Sequence, residues 1–158
     1  MVYCISFSYR QRQSVLFSQT VQTSIQNLSE KADIIVTGKV TDQKSEWNSS
    51  KDRILTKVTI LVDEFLKGSD SHNQIVVTHP GGEVGEVGEL YSHMPKFNNS
   101  EEVLLFLKKD KQNNFKVLDG EDGKLTLYHD QVTGEKITSF NEKISSLKNE
   151  IKKYIGQQ

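Results

Sequence analysis

Cysteine and long apolar runs are scarce in this chain of 158 residues. Cys4 is the only cysteine, so the chain can form neither an intramolecular disulfide nor a CxxC metal or redox pair. No stretch approaches the roughly 20 consecutive apolar residues of a membrane-spanning helix. Neither sign of charge dominates, with 20 basic and 21 acidic residues. This balance gives no electrostatic reason to expect nucleic acid or an anionic membrane as the main partner.

The length and the short apolar runs predict one small β-rich unit between helical segments. We expect residues 1–18 to be poorly ordered or a leader remnant, residues 19–130 to form the domain, and residues 136–156 to form an amphipathic helix. The first residues are apolar, but Arg10 and Arg12 follow them, whereas a secretory signal places its positive charge first. We therefore expect no working signal peptide in this sequence: either its start is incomplete, or the protein stays in the cytoplasm.

The hydrophobic period predicts a short helix followed by a strand. Four apolar residues recur at the helical spacing of three or four: Val21, Ile25, Leu28 and Ala32. They indicate a helix over residues 19–32. The next run, "IIVTGKVT", alternates with a period of two, which predicts a strand with Ile34, Val36 and Val40 on its buried face. Gly38 inside this strand indicates a bulge or a close approach of another backbone segment.

Further strands follow, and together they predict a small OB-like barrel of five to six strands. After a polar connection, "TDQKSEWNSSKD", alternation resumes with four residues expected to point inward: Ile54, Val58, Ile60 and Val62. "QIVVTH" is a third strand, and "EEVLLFLKK" a fourth that is continuous enough to be buried on both faces. "NFKVL" and "KLTLY" are shorter strands separated by the turn-rich "DGEDG".

The carboxyl-terminal segment returns to a helical period. Six apolar residues step by three and four: Ile137, Phe140, Ile144, Leu147, Ile151 and Tyr154. Ser139 and Glu142 have the spacing of a capping box, and Gly156 lies where such a helix would stop. We expect this helix to pack on its own sheet, although the same spacing suits a homodimer through a coiled coil.

Four motifs in order resemble a small domain found in exported proteins of bacteria and archaea. They are "ADIIVTGKVTDQKSEW", "TKVTILVDEFLKG", "IVVTHPGGEVGE" and "EEVLLFLKK". More distantly, the Ala32–Val40 start, the Lys67–Gly68 ending and the Leu104–Leu107 strand resemble netrin-like and tissue-inhibitor-of-metalloproteinase domains, which have the OB barrel fold. The resemblance covers about residues 28–128 and implies this fold together with an exported or cell-envelope location.

One departure limits what the distant resemblance implies. Netrin-like inhibitors depend on disulfides, and the metalloproteinase inhibitors chelate the enzyme's zinc through an amino-terminal cysteine. Cys4 is without a partner cysteine in this chain. Inhibition by zinc chelation is therefore not carried over.

The stretch "HPGGEVGEVGELYSHMP", residues 79–95, is the main candidate for a functional loop. It contains both prolines of the chain and a run of glycines that opposes a helix. It lacks the Lys-Ser/Thr ending of a phosphate-binding loop, and its glutamates would repel an anion. A metal site would use His79, Glu83 and His93, yet their spacing is unlike a helical HExxH motif. Loops of this length often form binding elements or lids.

These observations favour a non-enzymatic module that binds a protein or a cell-surface component, without a cofactor. The expected contacts are Trp47, Gly81, Gly82, Glu83, Tyr91, Met94 and Phe97. The alternative is a metal-binding protein or metal-dependent hydrolase that uses His79, Glu83 and His93. A third alternative is a structural module that dimerises through its last helix. Single-stranded nucleic acid is not expected, because Lys39 and Lys57 have no aromatic neighbour in their strands.

Overall fold

The computed structural model describes residues 24–112 and 114–156. The described part contains two α-helices, α1 at 24–31 and α2 at Ile144–Ile155, and a 3₁₀ helix at Gly120–Gly123. Its strands are β1 (Ile34–Trp47), β2 (Ile54–Lys67), β3 (Gln74–Pro80), β4 (Gly82–Val84), β5 (Val87–Glu89), β6 (Glu102–Lys109), β7 (Phe115–Val117), β8 (Lys124–His129) and β9 (Lys136–Thr138). The expectations for 1–18, Val21 and the start of the first helix lie outside the described residues.

Five strands close into a barrel, as predicted. They follow the order β1-β2-β3-β7-β6, and β6 pairs again with β1. All pairings are antiparallel except that of β3 with β7, which is parallel and joins Val77 to Phe115. β8 and β9 extend the sheet from β6. The fold is mainly β with flanking helices and is consistent with a small OB-like barrel.

The barrel interior is filled by the residues that the alternation predicted. Side chains from all five strands form this inner core, including Val36 of β1, Val58 of β2, Val77 of β3 and Leu105 of β6. These four side chains are 0–1% exposed. Ile34, Val40 and Ile60 belong to the same core, while Val62 is partly buried against it and Ile54 is buried beyond it. The period of two is therefore confirmed for β1 and β2.

Two helices cover one outer face of the barrel. Ile25 and Leu28 of α1 and Leu147 and Ile151 of α2 pack on Phe106 of β6, and these residues belong to an outer core. β6 thus sends Val103, Leu105 and Leu107 inward and Leu104 and Phe106 outward, which confirms that it is buried on both faces. The apolar face of α2 is occupied by its own barrel, so a homodimer through that face would first have to displace it. Neither described helix is long and apolar enough to cross a membrane.

Gly38 allows β1 to bend and to lie against β2. The register of β1 against β2 shifts between Thr37 and Gly38, so the predicted irregularity is present. A Cβ at Gly38 would lie less than 3.0 Å from the Leu61 carbonyl oxygen and from the Ile60 side chain. Both parts of the expectation for Gly38 are therefore confirmed.

Three boundaries differ from the prediction. β1 continues to Trp47, so the polar connection is shorter than expected. The last residues of β1 pair with β2 beyond the closed part of the barrel, where alternation of apolar residues is not required. The glycine-rich stretch contains the hairpin of β4 and β5 and is not only a loop. The carboxyl-terminal helix begins at Ile144, not at 136, because Ile137 pairs with Tyr128 in the sheet.

The predicted capping box at Ser139 and Glu142 is also wrong. Lys143 is the N-cap residue and makes no side-chain capping bond. Asn141 has a φ of 59°, which an α-helix cannot accommodate, so the chain turns before the helix starts. Gly156 at the end of α2 lies where the sequence placed it.

Candidate functional site

A groove of about 690 Å³ lies at one mouth of the barrel, between the extended hairpin of β1 and β2 and the glycine-rich segment, residues 80–95. Six of the seven expected contact residues line it: Gly81, Gly82, Glu83, Tyr91, Met94 and Phe97. Three polar side chains from β1 and β2 line it too: Gln43, Ser45 and Thr56. The groove therefore has a wall from the glycine-rich segment and a polar contribution from the barrel strands.

Glycine is required where the segment lies against the strands. The backbone φ angles of Gly81 and Gly82 are 95° and 131°, which side chains rarely adopt. A Cβ at Gly82 would lie less than 3.0 Å from the hydroxyl groups of Ser45 and Thr56. Those two hydroxyls are 2.8 Å apart, and Thr56 Oγ1 donates to the Gly81 carbonyl at 2.7 Å. The glycine pair lets the backbone lie directly on these hydroxyls.

A two-residue turn returns the chain from β4 to β5. Gly85 takes the first turn position with a φ of 62°, and Glu86 takes the second without a positive φ. This combination is typical of a type II′ hairpin turn, for which Gly-X is the preferred sequence. The glycine spacing of the segment thus reflects a hairpin seated on another hairpin, a geometry that needs no phosphate or metal to explain it.

Glu89 ties the hairpin to the edge of the barrel. Its Oε2 accepts the Ile54 N–H at 3.0 Å and the Tyr91 hydroxyl at 3.2 Å. The Ile54 carbonyl accepts the Gly81 N–H at 2.9 Å, so both backbone groups of Ile54 are bonded to the glycine-rich segment and its hairpin. Leu90, next to Glu89, is 91% exposed at the rim of the groove. The rim thus presents apolar surface on a fixed backbone.

Phe97 closes the barrel beneath the groove. It is 8% exposed and belongs to the inner core. The His79 ring stacks on the Phe97 ring with a centroid distance of 6.1 Å. Lys124 Nζ lies over the Phe97 ring, 5.2 Å from its centroid, in a cation–π contact. Gln43 Nε2 donates to the Phe97 carbonyl at 3.1 Å. Phe97 borders the groove, but its first role is to fix the segment that follows the glycines.

A buried ion pair supports Phe97 from below. Lys124 Nζ lies 2.7 Å from Glu101 Oε1, and the two side chains are 10% and 8% exposed. Thr126 Oγ1 and the Asn98 N–H also donate to this carboxylate, at 2.5 and 2.9 Å. Burial raises the pKa of Glu101, but the hydrogen bonds from Lys124, Thr126 and Asn98 outweigh burial, so the pKa lies below its ordinary value.

Replacing Lys124 with methionine is expected to lower the free energy of unfolding by about 2 kcal/mol, because Glu101 stays buried without its cation. Urea unfolding at pH 7 measures this loss. The double variant Glu101→Gln/Lys124→Met should regain most of it, since no buried charge then remains. A wild-type midpoint for Lys124→Met would show that the pair contributes nothing.

The same pair has a defined pH dependence. Because the pKa of folded Glu101 is lowered, its stabilisation is present above the unfolded value, near 4.5, and is lost as the pH falls through the folded pKa. The stability difference between the wild type and Lys124→Met should therefore shrink on acidification below about pH 4.5.

The residues of the metal alternative are not brought together. His79 faces Phe97, and its Nδ1 bonds the Pro80 carbonyl at 3.0 Å. His93 does not line the groove. Its Nδ1 lies 3.5 Å from Oε1 of Glu121, a residue of the 3₁₀ helix. Within residues 24–112 and 114–156, no three His, Cys, Asp or Glu side chains are grouped as metal ligands would be. The geometry gives the metal alternative no support.

Trp47 is the expected contact residue that the groove does not include. It lies at the end of β1, opposite Ile54, and is 37% exposed. Conversely, sequence reasoning missed Gln43 and Ser45 because it placed them in a connection rather than in a strand. Thr56 could have been found: it falls at an inward position of the alternation that contains Ile54 and Val58, and a polar residue there needs a partner.

No protein-family model matches this chain, and no curated protein is significantly similar to it.

Proposed function

We propose that this protein is a non-enzymatic binding module that recognises a protein or a cell-envelope component in the groove beside its glycine-rich segment. The groove carries this proposal. Its volume of about 690 Å³ lies in the range of roughly 300–1,000 Å³ typical of ligand sites. Its lining combines apolar side chains, such as Tyr91 and Met94, with a few polar groups from β1 and β2. Such a combination supplies contact area and orientation together.

The rigidity of the groove supports binding over a merely structural role for the segment. The Gly81 backbone is bonded to Ile54 and Thr56, and Glu89 holds both Ile54 and Tyr91. A wall fixed in this way loses little conformational entropy when a ligand binds. The resemblance of the strand motifs to exported prokaryotic domains supports a cell-envelope location for this module.

A leucine at Gly88 tests the proposal. Gly88 lines the groove, its φ is not positive, and a Cβ there would meet the Glu83 side chain at an ordinary 3.5 Å. The variant should fold and fill part of the groove. We expect Gly88→Leu to weaken binding to separated protein or polysaccharide fractions of a cell envelope about tenfold or more, measured with immobilised full-length chain. Gly156→Leu, at the exposed end of α2, is the matched control and should bind as the wild type does.

Equal binding by the Gly88→Leu and Gly156→Leu variants would place the ligand elsewhere on the surface. No binding of the wild-type chain to any fraction would contradict the proposed function itself.

A further inference from the structure

One edge of β1 is unpaired where the strand extends beyond the barrel. β6 pairs with β1 from Ile34 to Lys39, and the last bonds on that edge join Val40 to Ser100 and Glu101. The chain then turns away, since the Glu101 N–H donates to the Asn98 carbonyl at 3.2 Å. From there to its end, β1 is paired only with β2. No described strand continues β6 along this part of β1, which we call the vacant edge.

The orientation of the backbone groups on this edge follows from the register. The Asn48 N–H donates to the Arg53 carbonyl at 2.8 Å, which makes this pair a hydrogen-bonded one. Hydrogen-bonded and non-hydrogen-bonded pairs alternate along antiparallel strands. Since Trp47 pairs with Ile54 and Ser45 with Thr56, these pairs and that of Gln43 are non-hydrogen-bonded. The N–H and C=O groups of Gln43, Ser45 and Trp47 accordingly point away from β2, along the vacant edge.

The β2 side agrees with this alternation. The Ile54 carbonyl accepts the Gly81 N–H, and the Val62 N–H donates to the Asn73 carbonyl, so residues at even positions of β2 turn their backbone groups toward β3. Among the described strands, only β2 pairs with β1 at Gln43, Ser45 and Trp47. Three residues, spaced about 6.8 Å apart, thus present donors and acceptors in the pattern that another strand would satisfy.

The vacant edge borders the groove. Gln43 and Ser45 line the groove with their side chains while their backbone groups face the edge. Trp47 lies two residues beyond Ser45, on the same face of β1, and is 37% exposed. A strand placed along this edge would send alternate side chains toward the groove and the others toward Lys44 and Glu46 on the opposite face.

We infer that the groove takes an extended polypeptide segment, which adds to the edge of β1 at Gln43–Trp47 as a further strand. This inference rests on the proposed function and names its ligand class. Unpaired N–H and C=O groups at strand spacing bind a polypeptide backbone, in the manner of strand addition by other peptide-recognition modules. The groove-facing side chains that β1 contributes, Gln43 and Ser45, are uncharged, whereas Glu83, Glu89 and Lys96 supply charge elsewhere in the lining. Trp47, which the groove itself does not include, lies where such a segment would leave the edge.

Selected peptides test the inference. A phage library of random twelve-residue peptides is selected on the immobilised full chain, and the best peptide is synthesised with single N-methyl groups at successive positions. In an added strand, every second N–H bonds to β1 and the intervening ones face solvent. We expect N-methylation at the positions whose N–H groups bond β1 to weaken binding about five- to tenfold per site. N-methylation at the intervening positions, which make up the other phase, should weaken it less than about twofold. In a strand antiparallel to β1, the residues that donate these N–H groups face the groove, so alanine substitution should be most harmful at the same positions.

Substitution of Ser45 provides the matched test on the protein. Proline at this position removes the outward N–H without breaking a bond to β2, because proline is tolerated at an edge whose N–H faces solvent. Alanine removes only the hydroxyl, so it controls for the lost contact with Thr56. We expect Ser45→Pro to bind the selected peptide about fivefold more weakly than Ser45→Ala. The N-methyl series stays informative even if Ser45→Pro folds poorly.

Each other outcome overturns the inference in a recognisable way. Selected peptides that tolerate N-methylation equally in both phases would show peptide binding without strand addition. Enrichment of no peptide, together with binding of an envelope polysaccharide that Gly88→Leu abolishes, would leave the groove as the site but reject this ligand class. A dimer mass in light scattering that Ser45→Pro reduces to a monomer would assign the edge to a second copy. Absence of all binding would reject the inference and the proposed function together.

Discussion

Replacing Phe106 with alanine is expected to lower the free energy of unfolding by about 3–5 kcal/mol, the cost typical of removing a buried phenylalanine. Phe106 is fully buried on the outer face of β6, under α1 and α2. The cavity would open within the outer core, which Phe106 shares with Ile35 and Leu104 of the barrel and with Leu147 of α2. Urea unfolding monitored by circular dichroism measures the change.

Tyr128→Ala is the control for this experiment. Tyr128 is an aromatic residue of β8 that is 51% exposed, and its loss should change the free energy of unfolding by less than about 1 kcal/mol. Under the proposed strand addition, folded Phe106→Ala should bind the selected peptide as the wild type does, since the groove lies at the barrel mouth and the outer core lies beneath the helices. A loss below 1 kcal/mol for Phe106→Ala would mean that the helices contribute little to the stability of the barrel.

Replacing Gly82 with valine is expected to cost about 4 kcal/mol and to lift the hairpin of β4 and β5 off β1 and β2. Two effects add: a side chain is strained at a φ of 131°, and its Cβ would overlap the hydroxyls of Ser45 and Thr56. The Ile54 N–H, bonded to Glu89 of the same hairpin, reports the displacement directly. Its amide exchange should accelerate along with the drop in the urea midpoint.

Gly134→Val separates strain from overlap. Gly134 has a φ of 72°, yet a Cβ there meets nothing within 4 Å, so only the backbone strain of about 1–2 kcal/mol is expected. Equal losses for the valine variants at 82 and 134 would show that the fit of the segment on the two hydroxyls contributes nothing. In that case the glycine pair would serve chain flexibility alone.

The barrel could be predicted from the sequence because its strands obey a local rule. Val36, Val58 and Leu105 fall at inward positions that a period of two identifies, and the uninterrupted run of β6 signals burial on both faces. Which strands pair to close the barrel could not be predicted, because the pairing of β1 with β6 joins residues far apart in the chain. The family resemblance proposed for the strand motifs stays a prediction.

The carboxyl-terminal boundary shows where a local rule fails. The spacing of Ile137, Phe140 and Ile144 fits a helix, but pairing of Ile137 with Tyr128 satisfies more backbone groups than a frayed helical turn would. The left-handed Asn141 then separates strand from helix. A periodic pattern states which residues face the core, and both a strand end and a helix can satisfy it over so few residues.

The candidate site could be predicted in its glycine-rich half only. Composition drew attention to residues 80–95, where Gly81 and Gly82 line the groove. The other half comes from Gln43 and Ser45. These are polar residues in a polar stretch, a composition that is equally typical of a turn and of an exposed strand. They line the groove because β1 extends beyond the end of its pairing with β6, and this can be seen only in the assembled sheet.

The parallel pairing of β3 with β7 has a consequence for how the barrel forms. Its ladder has a single residue pair, Val77 with Phe115, whereas β2 and β3 form a long antiparallel ladder between neighbouring strands. The meander of β1, β2 and β3 can assemble from contacts that are close in the chain, at a small loop-closure cost. Pairing β6 with β1 and β7 with β3 closes much larger loops, at a larger cost in conformational entropy. The single pair at Val77 offsets little of that cost. Closure of the barrel should therefore be the rate-limiting step of folding. We expect the β1–β2–β3 meander to form first and the pairing of β3 with β7 to form last.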